Sequence, residues 1–245
     1  MILKEDKFTD RYLIRKNTNY VQAITQIINS ANIYQVNIQS SGSKLTRDRE
    51  FEIGESKLKA VNDLLTELNY TSLYTDRDGV LKATPYILPA NRTVEFDYRV
   101  NDVSKIIDNS ASDELDIFNL PNIWIAVVSN GEENSMKSIY ENNNPNSPTS
   151  IVSRNRRIVD YRTVTDMANQ TALNGYVRRI ANNASSVYKK ISFSTLLNPL
   201  HEFSNALYVE YPKLNISGKF IETSWEMDLN TQGSMKHEAR GVVYI

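Results

Sequence analysis

The spacing of apolar residues changes along this chain, and the change bounds the fold more tightly than any other feature. Up to about residue 90 apolar positions recur every three or four residues; beyond Arg92 they mostly alternate. Tyr20, Val21, Ile24, Ile27 and Ile28 share one helical face, with Asn19 placed as N-cap and Gln22 at the third helical position. Ser56 precedes a second stripe made of Leu58, Val61, Leu64, Leu65 and Leu68. Leu73, then Asp76-Arg-Asp-Gly79, then Val80 and Leu81 read as a hairpin whose glycine takes positive φ. Val94, Phe96 and Tyr98 alternate within a strand predicted from Arg92 to Val100. Ile123 to Val128 reads as a buried strand. Ile191–Leu197, Ala206–Tyr211, Lys219–Leu229 and Lys236–Ile245 add four more, with Gly233 marking the last turn.

One helix interrupts this β-rich half, at about 163–188. Asp166 suits its first turn, and Met167, Leu173, Tyr176, Val177, Ile180, Ala184 and Val187 form its stripe; Gly175 costs it about 1 kcal/mol against alanine. Glu132 to Ser150 reads as a long surface loop, held by proline and by asparagine side chains bonding to backbone. The expectation is an α+β fold in two parts: a mixed α/β module over residues 1–100, then a β-barrel or sandwich over 101–245 with one long flanking helix. Trp124 and Trp225 both fall on inward-reading faces and are predicted to be buried.

Composition removes chemistry. The chain has no cysteine and only two histidines, His201 and His237, so thiolate zinc sites, iron–sulfur clusters and cysteine nucleophiles are excluded. No cofactor and no bound transition metal are expected. Lys+Arg 28 against Asp+Glu 29 gives a net charge of -1, which argues against a sequence-specific nucleic-acid binder. MILKEDKFTD holds no apolar run, no stretch approaches the ~18 apolar residues of a membrane span, and a soluble chain without membrane contact is expected. Asparagine is abundant, whereas Gly 8 and Pro 7 are scarce, the balance of a folded chain.

The candidate sites are weak as chemistry. Asp76-Arg-Asp78-Gly79 could begin a calcium loop, but residues 81–87 supply no further acid, and a turn is the better reading. His237 and Glu238 are neighbours in a strand and so face opposite ways, a poor proton relay. His201 follows Asn198-Pro-Leu and reads as a loop residue. Asp113, Glu114 and Asp116 read as a solvated lead-in to a strand. Charge is nevertheless segregated. Asp102, Asp108, Asp113, Glu114, Asp116, Glu132, Glu133 and Glu141 against Lys105 and Lys137 make one acidic block. Arg154, Arg156, Arg157, Arg162, Arg178, Arg179, Lys189 and Lys190 against Asp160 and Asp166 make one basic block. Arg154, Arg156, Arg157, Arg178 and Arg179 are therefore candidates for an assembly interface with an acidic protein face. No catalytic constellation is legible, so no enzyme activity is expected, on peptidoglycan or any other polysaccharide.

The wording of several segments resembles a known family. Phe51-Glu-Ile-Gly-Glu-Ser-Lys-Leu-Lys-Ala-Val-Asn-Asp-Leu-Leu to Gly79, with Pro85-Tyr86 and Pro89-Ala-Asn-Arg92, is similar to baseplate hub proteins of phage and prophage tails. Leu115-Asp-Ile-Phe-Asn-Leu-Pro-Asn122, Asn144-Pro-Asn-Ser-Pro-Thr-Ser150, Trp225-Glu-Met-Asp-Leu229 and Met235-Lys-His-Glu-Ala-Arg240 agree in order, mainly with Gram-positive phage-like particles. The resemblance implies a structural hub at the distal end of the tail tube, linking tube to baseplate or spike, with residues 101–245 as a tube-like β-domain. It implies a homotrimer whose partners are tail tube, distal tail and spike or tail-tip proteins. It also implies a place in the tail of a virion or phage-like particle assembled in the host bacterial cytoplasm. Such proteins carry a further tube-like domain ahead of this module, so the chain reads as a C-terminal portion or a shortened member. A carbohydrate- or cell-surface-binding module of a tail tip is the alternative, motivated by Tyr 14 and the asparagine-rich loop.

Overall fold

The computed structural model describes residues 2–100, 106–107, 118–129, 136–186, 190–231 and 233–245. In chain order the first elements are α1 (Ile2–Glu5), β1 (Tyr12–Ile14), α2 (Tyr20–Asn29), β2 (Val36–Ile38), β3 (Arg49–Phe51), α3 (Lys57–Glu67), β4 (Tyr74–Thr75) and β5 (Leu81–Ala83). There follow β6 (Phe96–Arg99), β7 (Ile106–Ile107), β8 (Ile123–Val128), β9 (Lys137–Glu141), α4 (Ile151–Arg154), β10 (Val159–Val164) and α5 (Gln170–Ser186). Last come β11 (Lys190–Leu196), β12 (Ala206–Tyr211), β13 (Ile216–Met227) and β14 (Ser234–Gly241). The fold is α+β, mostly strand, as the sequence predicts.

The chain forms two compact units: residues 1–86, 125–139 and 161–177 in one, residues 87–124, 140–160 and 178–245 in the other. The sequence places a single boundary near residue 100; the observed units are each assembled from separated stretches. A three-stranded sheet has the order β10-β8-β9.

In the first unit, α2 and α3 form as the sequence dictates. Asn19 and Ser56 accept hydrogen bonds from the backbone N–H of Gln22 and Lys59, each at 3.2 Å, which satisfies one orphan donor per helix. Tyr20, Ala23, Ile24, Ile27 and Ile28 of α2 pack in one core with Ala60, Val61, Leu64 and Leu65 of α3. Each fully buried aliphatic side chain contributes about 1.5–3 kcal/mol. Just beyond the two helices stand Asn32 at φ 59° and Asn69 at φ 56°. Asn17, Asn155 and Asn215 are also left-handed, so asparagine fills positions that glycine commonly takes, which gives the abundance of one and the scarcity of the other a structural use. The hairpin turns at Gly79, φ 80°, with β4 antiparallel and β2 parallel to β5. Asp76 accepts from the N–H of Asp78 and Val80 and pairs with Lys82, so Asp76-Arg-Asp-Gly is a turn.

Three expectations are corrected. The helix predicted at about 163–188 begins at Gln170, because residues 159–164 pair as β10; Asn169, whose side chain accepts from Ala172 N–H at 2.9 Å, starts it. Asp166 does not cap that helix. It is buried and accepts from Arg47 Nε at 3.0 Å. The loop expected from Glu132 to Ser150 contains β9; its remainder does hang on asparagine, with Asn142 buried and donating to Ser147 and Thr149. Val187 of the predicted stripe lies outside the described residues.

The second unit centres on a curled, half-barrel sheet in the order β6-β12-β13-β14-β11-β7, antiparallel throughout except for the β6–β12 pair. Tyr98, Phe193, Leu207, Val209, Phe220 and Ala239 lie in its core. Trp124 is fully buried, whereas Trp225, also predicted to be buried, is 43% exposed. β12 pairs with β13 only over Ile216–Ile221, and the register of β13 shifts between Glu222 and Ser224. Beyond that bulge nothing among the described residues pairs with the other side of β13, so Trp225 sits at a rim.

Two outcomes are expected. Trp124→Phe leaves an emission spectrum typical of a water-contacting indole, and Trp225→Phe leaves a blue-shifted one that resists acrylamide quenching. Glu67, 5% exposed, accepts from Tyr20 Oη at 3.0 Å and lies 3.6 Å from Arg49. Burial, helped by the charge of Asp166, pushes its carboxyl from 4.5 up to about 7 despite Arg49. The folded chain therefore holds this proton where the unfolded chain has lost it. Stability falls as pH rises from about 4.5 towards 7, by up to ~3 kcal/mol at ~1.4 kcal/mol per unit. Urea unfolding across that range is expected to give a flatter pH profile for Glu67→Gln.

Candidate functional site

The alternation of β13 puts Phe220 and Glu222 on the buried side of the sheet, and a carboxylate there must be matched. Across the ladder, β14 buries Met235, His237 and Ala239, and His237 lies opposite Phe193 of β11. The connection between β11 and β12 returns His201 to the same place. His201, Glu222 and His237 are 4%, 3% and 0% exposed. His201 Nδ1 lies 2.6 Å from Glu222 Oε2, and His237 Nδ1 lies 2.6 Å from Glu222 Oε1. The distal nitrogens are matched too: His201 Nε2 is 2.6 Å from Tyr98 Oη, and His237 Nε2 is 2.7 Å from Thr195 Oγ1. Phe96 stacks on His201 at 4.2 Å and Phe193 on His237 at 4.6 Å.

Burial by itself would raise the Glu222 carboxyl, but the hydrogen bonds from His201 and His237 outweigh it and hold the group below the usual carboxylate range. Burial raises the Tyr98 hydroxyl, with the charge of Glu222 adding to it against the bond from Asn198. The three side chains offer metal-ligating atoms within 4.8 Å of one another. Two atoms bound to one tetrahedral zinc-sized ion at ~2.1 Å stand about 3.4 Å apart. Contacts of 2.6 Å are hydrogen bonds, and the arrangement fits protons.

The picture of two isolated histidines is thus overturned. His201 is on a loop, as expected, yet is buried; His237 pairs with Glu222, while its neighbour Glu238 faces outward and accepts from Ser224. The available signal was the inward phase shared by Phe220 and Glu222, since a carboxylate in that phase requires donors. The candidate arginines all belong to the second unit. Arg154 donates to Leu120 O at 2.8 Å, Arg156 lies over the ring of Phe118, and Arg157 pairs with Glu141 at 2.7 Å. Arg178 is exposed and Arg179 half-buried on α5. Glu141 belongs to the acidic block, so one pair between the blocks closes within the chain. Asp102, Lys105, Asp108, Asp113, Glu114, Asp116, Glu132, Glu133 and Lys189 lie outside the described residues.

No known family's sequence pattern and no curated protein sequence matches this chain. Its fold does match phage tail proteins of known structure. The tail protein from Neisseria meningitidis MC58 superposes with TM-score 0.69 at 12% identity, over 98% of this chain and 71% of that one. The 43 kDa tail protein of prophage MuSo2 from Shewanella oneidensis gives 0.66 at 10% identity, over 93% and 66%. Prophage tail protein gp18 from Listeria monocytogenes EGD-e gives 0.56 at 14%, over 97% and 68%. This chain therefore spans about two thirds of each, and the likeness is one of fold.

Removing the carboxylate at the centre of the cluster leaves two buried imidazoles without their partner. Glu222→Ala is expected to cost ~3–5 kcal/mol in urea unfolding, against less than ~0.5 kcal/mol for Glu238→Ala on the outer face.

Proposed function

We propose that the chain is a structural, non-catalytic component of a phage or phage-derived tail, forming the hub at the distal end of the tail tube and connecting it to the baseplate or spike. The observation that carries this reading is the superposition of nearly the whole chain on three tail proteins from three bacteria, when only 10–14% of residues are identical. Fold alone does not specify function, so features of this chain must supply the rest. Thr223–Met227 has no partner strand on one side among the described residues, with Trp225 and, past its end, Leu229 exposed at 43% and 91%. An apolar open edge is an aggregation hazard in a monomer and an asset in an assembly that covers it. A ring of identical subunits, joined head to tail, also lets an acidic face meet a basic one at every interface. Arg154, Arg156, Arg157, Arg178 and Arg179 are proposed to line such a contact.

Sedimentation of the purified chain is expected to give three times its mass of 28.0 kDa, and labelled antibody is expected to mark the distal end of the tube in intact particles. A monomer at all concentrations that is also absent from particles would sink the proposal. Changing the five arginines to glutamine is expected to weaken assembly at low salt. The defect should fade as ionic strength rises, because the screening length falls from ~10 Å at ~0.1 M to ~3 Å at ~1 M.

A further inference from the structure

The hydroxyl of Thr195 fixes the proton count of the buried cluster. Its Oγ1 lies 2.9 Å from the carbonyl oxygen of Leu196 and 2.7 Å from His237 Nε2. A hydroxyl owns one proton. The carbonyl can only accept, and two oxygens at 2.9 Å attract only when that proton lies between them. Thr195 therefore donates to Leu196 and accepts from Nε2–H of His237. The other ring nitrogen, Nδ1, stands 2.6 Å from Glu222 Oε1. A bare nitrogen lone pair against a carboxylate oxygen at that distance is repulsive, so Nδ1 carries a proton as well. His201 has no such requirement: Tyr98 is free to donate to its Nε2, because Asn198 Nδ2 donates to Tyr98 Oη at 3.4 Å.

We propose that the cluster is a buried ion pair in which His237 is an imidazolium bound to the Glu222 carboxylate while His201 stays neutral, a clamp that tightens with protonation and slackens when the proton leaves. The groups facing the pair come from every element around it: Phe96 and Tyr98 of β6, Phe193 and Thr195 of β11, Asn198 and His201 of the following loop, Glu222 of β13 and His237 of β14. Among these described groups Glu222 is the acid, so one added proton leaves the site neutral, whereas two neutral rings leave a lone buried anion. Loss of the proton from His237 costs either the Thr195–Leu196 bond, because the hydroxyl must turn to donate to Nε2, or the Glu222 contact. Through the latter it loosens the tie between β13 and β14 beside Trp225, which lies opposite His237 in the ladder.

Nitrogen-15 spectra of the histidine rings in the folded chain test this. Near neutrality one ring is expected to show both nitrogens protonated and the other only one, with the imidazolium signature lost in Glu222→Gln. Two neutral rings in the wild type would refute the ion pair. So would one equivalent of zinc taken up with loss of the ring protons, since the cluster would then be a metal site. Glu222→Gln risks misfolding, so Thr195→Val supplies a second reading: it orphans Nε2–H without removing a charge. Its drop in melting temperature is expected to be larger near neutrality than in alkaline solution. A drop that does not change with pH overturns the proposal.

Discussion

Burying the carboxylate of Glu222 sets the terms for the sheet of the second unit. An unpaired carboxylate removed from water costs several kcal/mol, so each of its oxygens must meet a donor. Oε1 is met from β14 and Oε2 from the loop between β11 and β12, which draws His237 and His201 to one point. Those rings in turn need partners at their far nitrogens, and Tyr98 of β6 and Thr195 of β11 provide them. One charge thereby links four strands and a loop through directional bonds, where apolar packing alone would tolerate sliding. The same loop anchors β6 a second time, since Glu95 accepts from both Asn205 Nδ2 and the N–H of Ala206.

The first unit solves a related problem differently. Glu67 has one phenol and a more distant guanidinium for company, and its carboxyl moves up towards neutrality instead of down. Two buried acids thus respond in opposite directions because one is given close donors on both oxygens and the other is not. Polar clusters of this kind fix register through directional bonds, which apolar packing does not do by itself. The open rim of β13 is the complementary feature: backbone and apolar surface left unsatisfied by this chain, available to another.

The caps at Asn19 and Ser56, the faces of α2 and α3, the Gly79 turn and the run Ile123–Val128 were legible in the residues themselves. Each depends on neighbours a few positions away, where helical or strand periodicity and capping chemistry act. The bounds of α5 were not, because residues 159–164 are equally compatible with a helix start until β8 offers them a ladder. Trp225 was placed on the correct face and yet is exposed, since alternation reports which side of a strand a residue takes and not whether anything covers that side.

The histidines mark the same divide most sharply. His201, Glu222 and His237 are separated by 21 and 15 residues, with Thr195 and Tyr98 further off, at 42 residues from His237 and 103 from His201. By itself the sequence determined that these are the chain's two imidazoles and that Glu222 shares the inward phase of Phe220. Only the tertiary structure decided that the three meet, because the meeting depends on strand order, on register and on the bulge after Glu222. Those are set by the free energy of the whole sheet, in which the Glu222 charge is tolerated because two imidazole donors reach it, each ring held in turn by Tyr98 or Thr195.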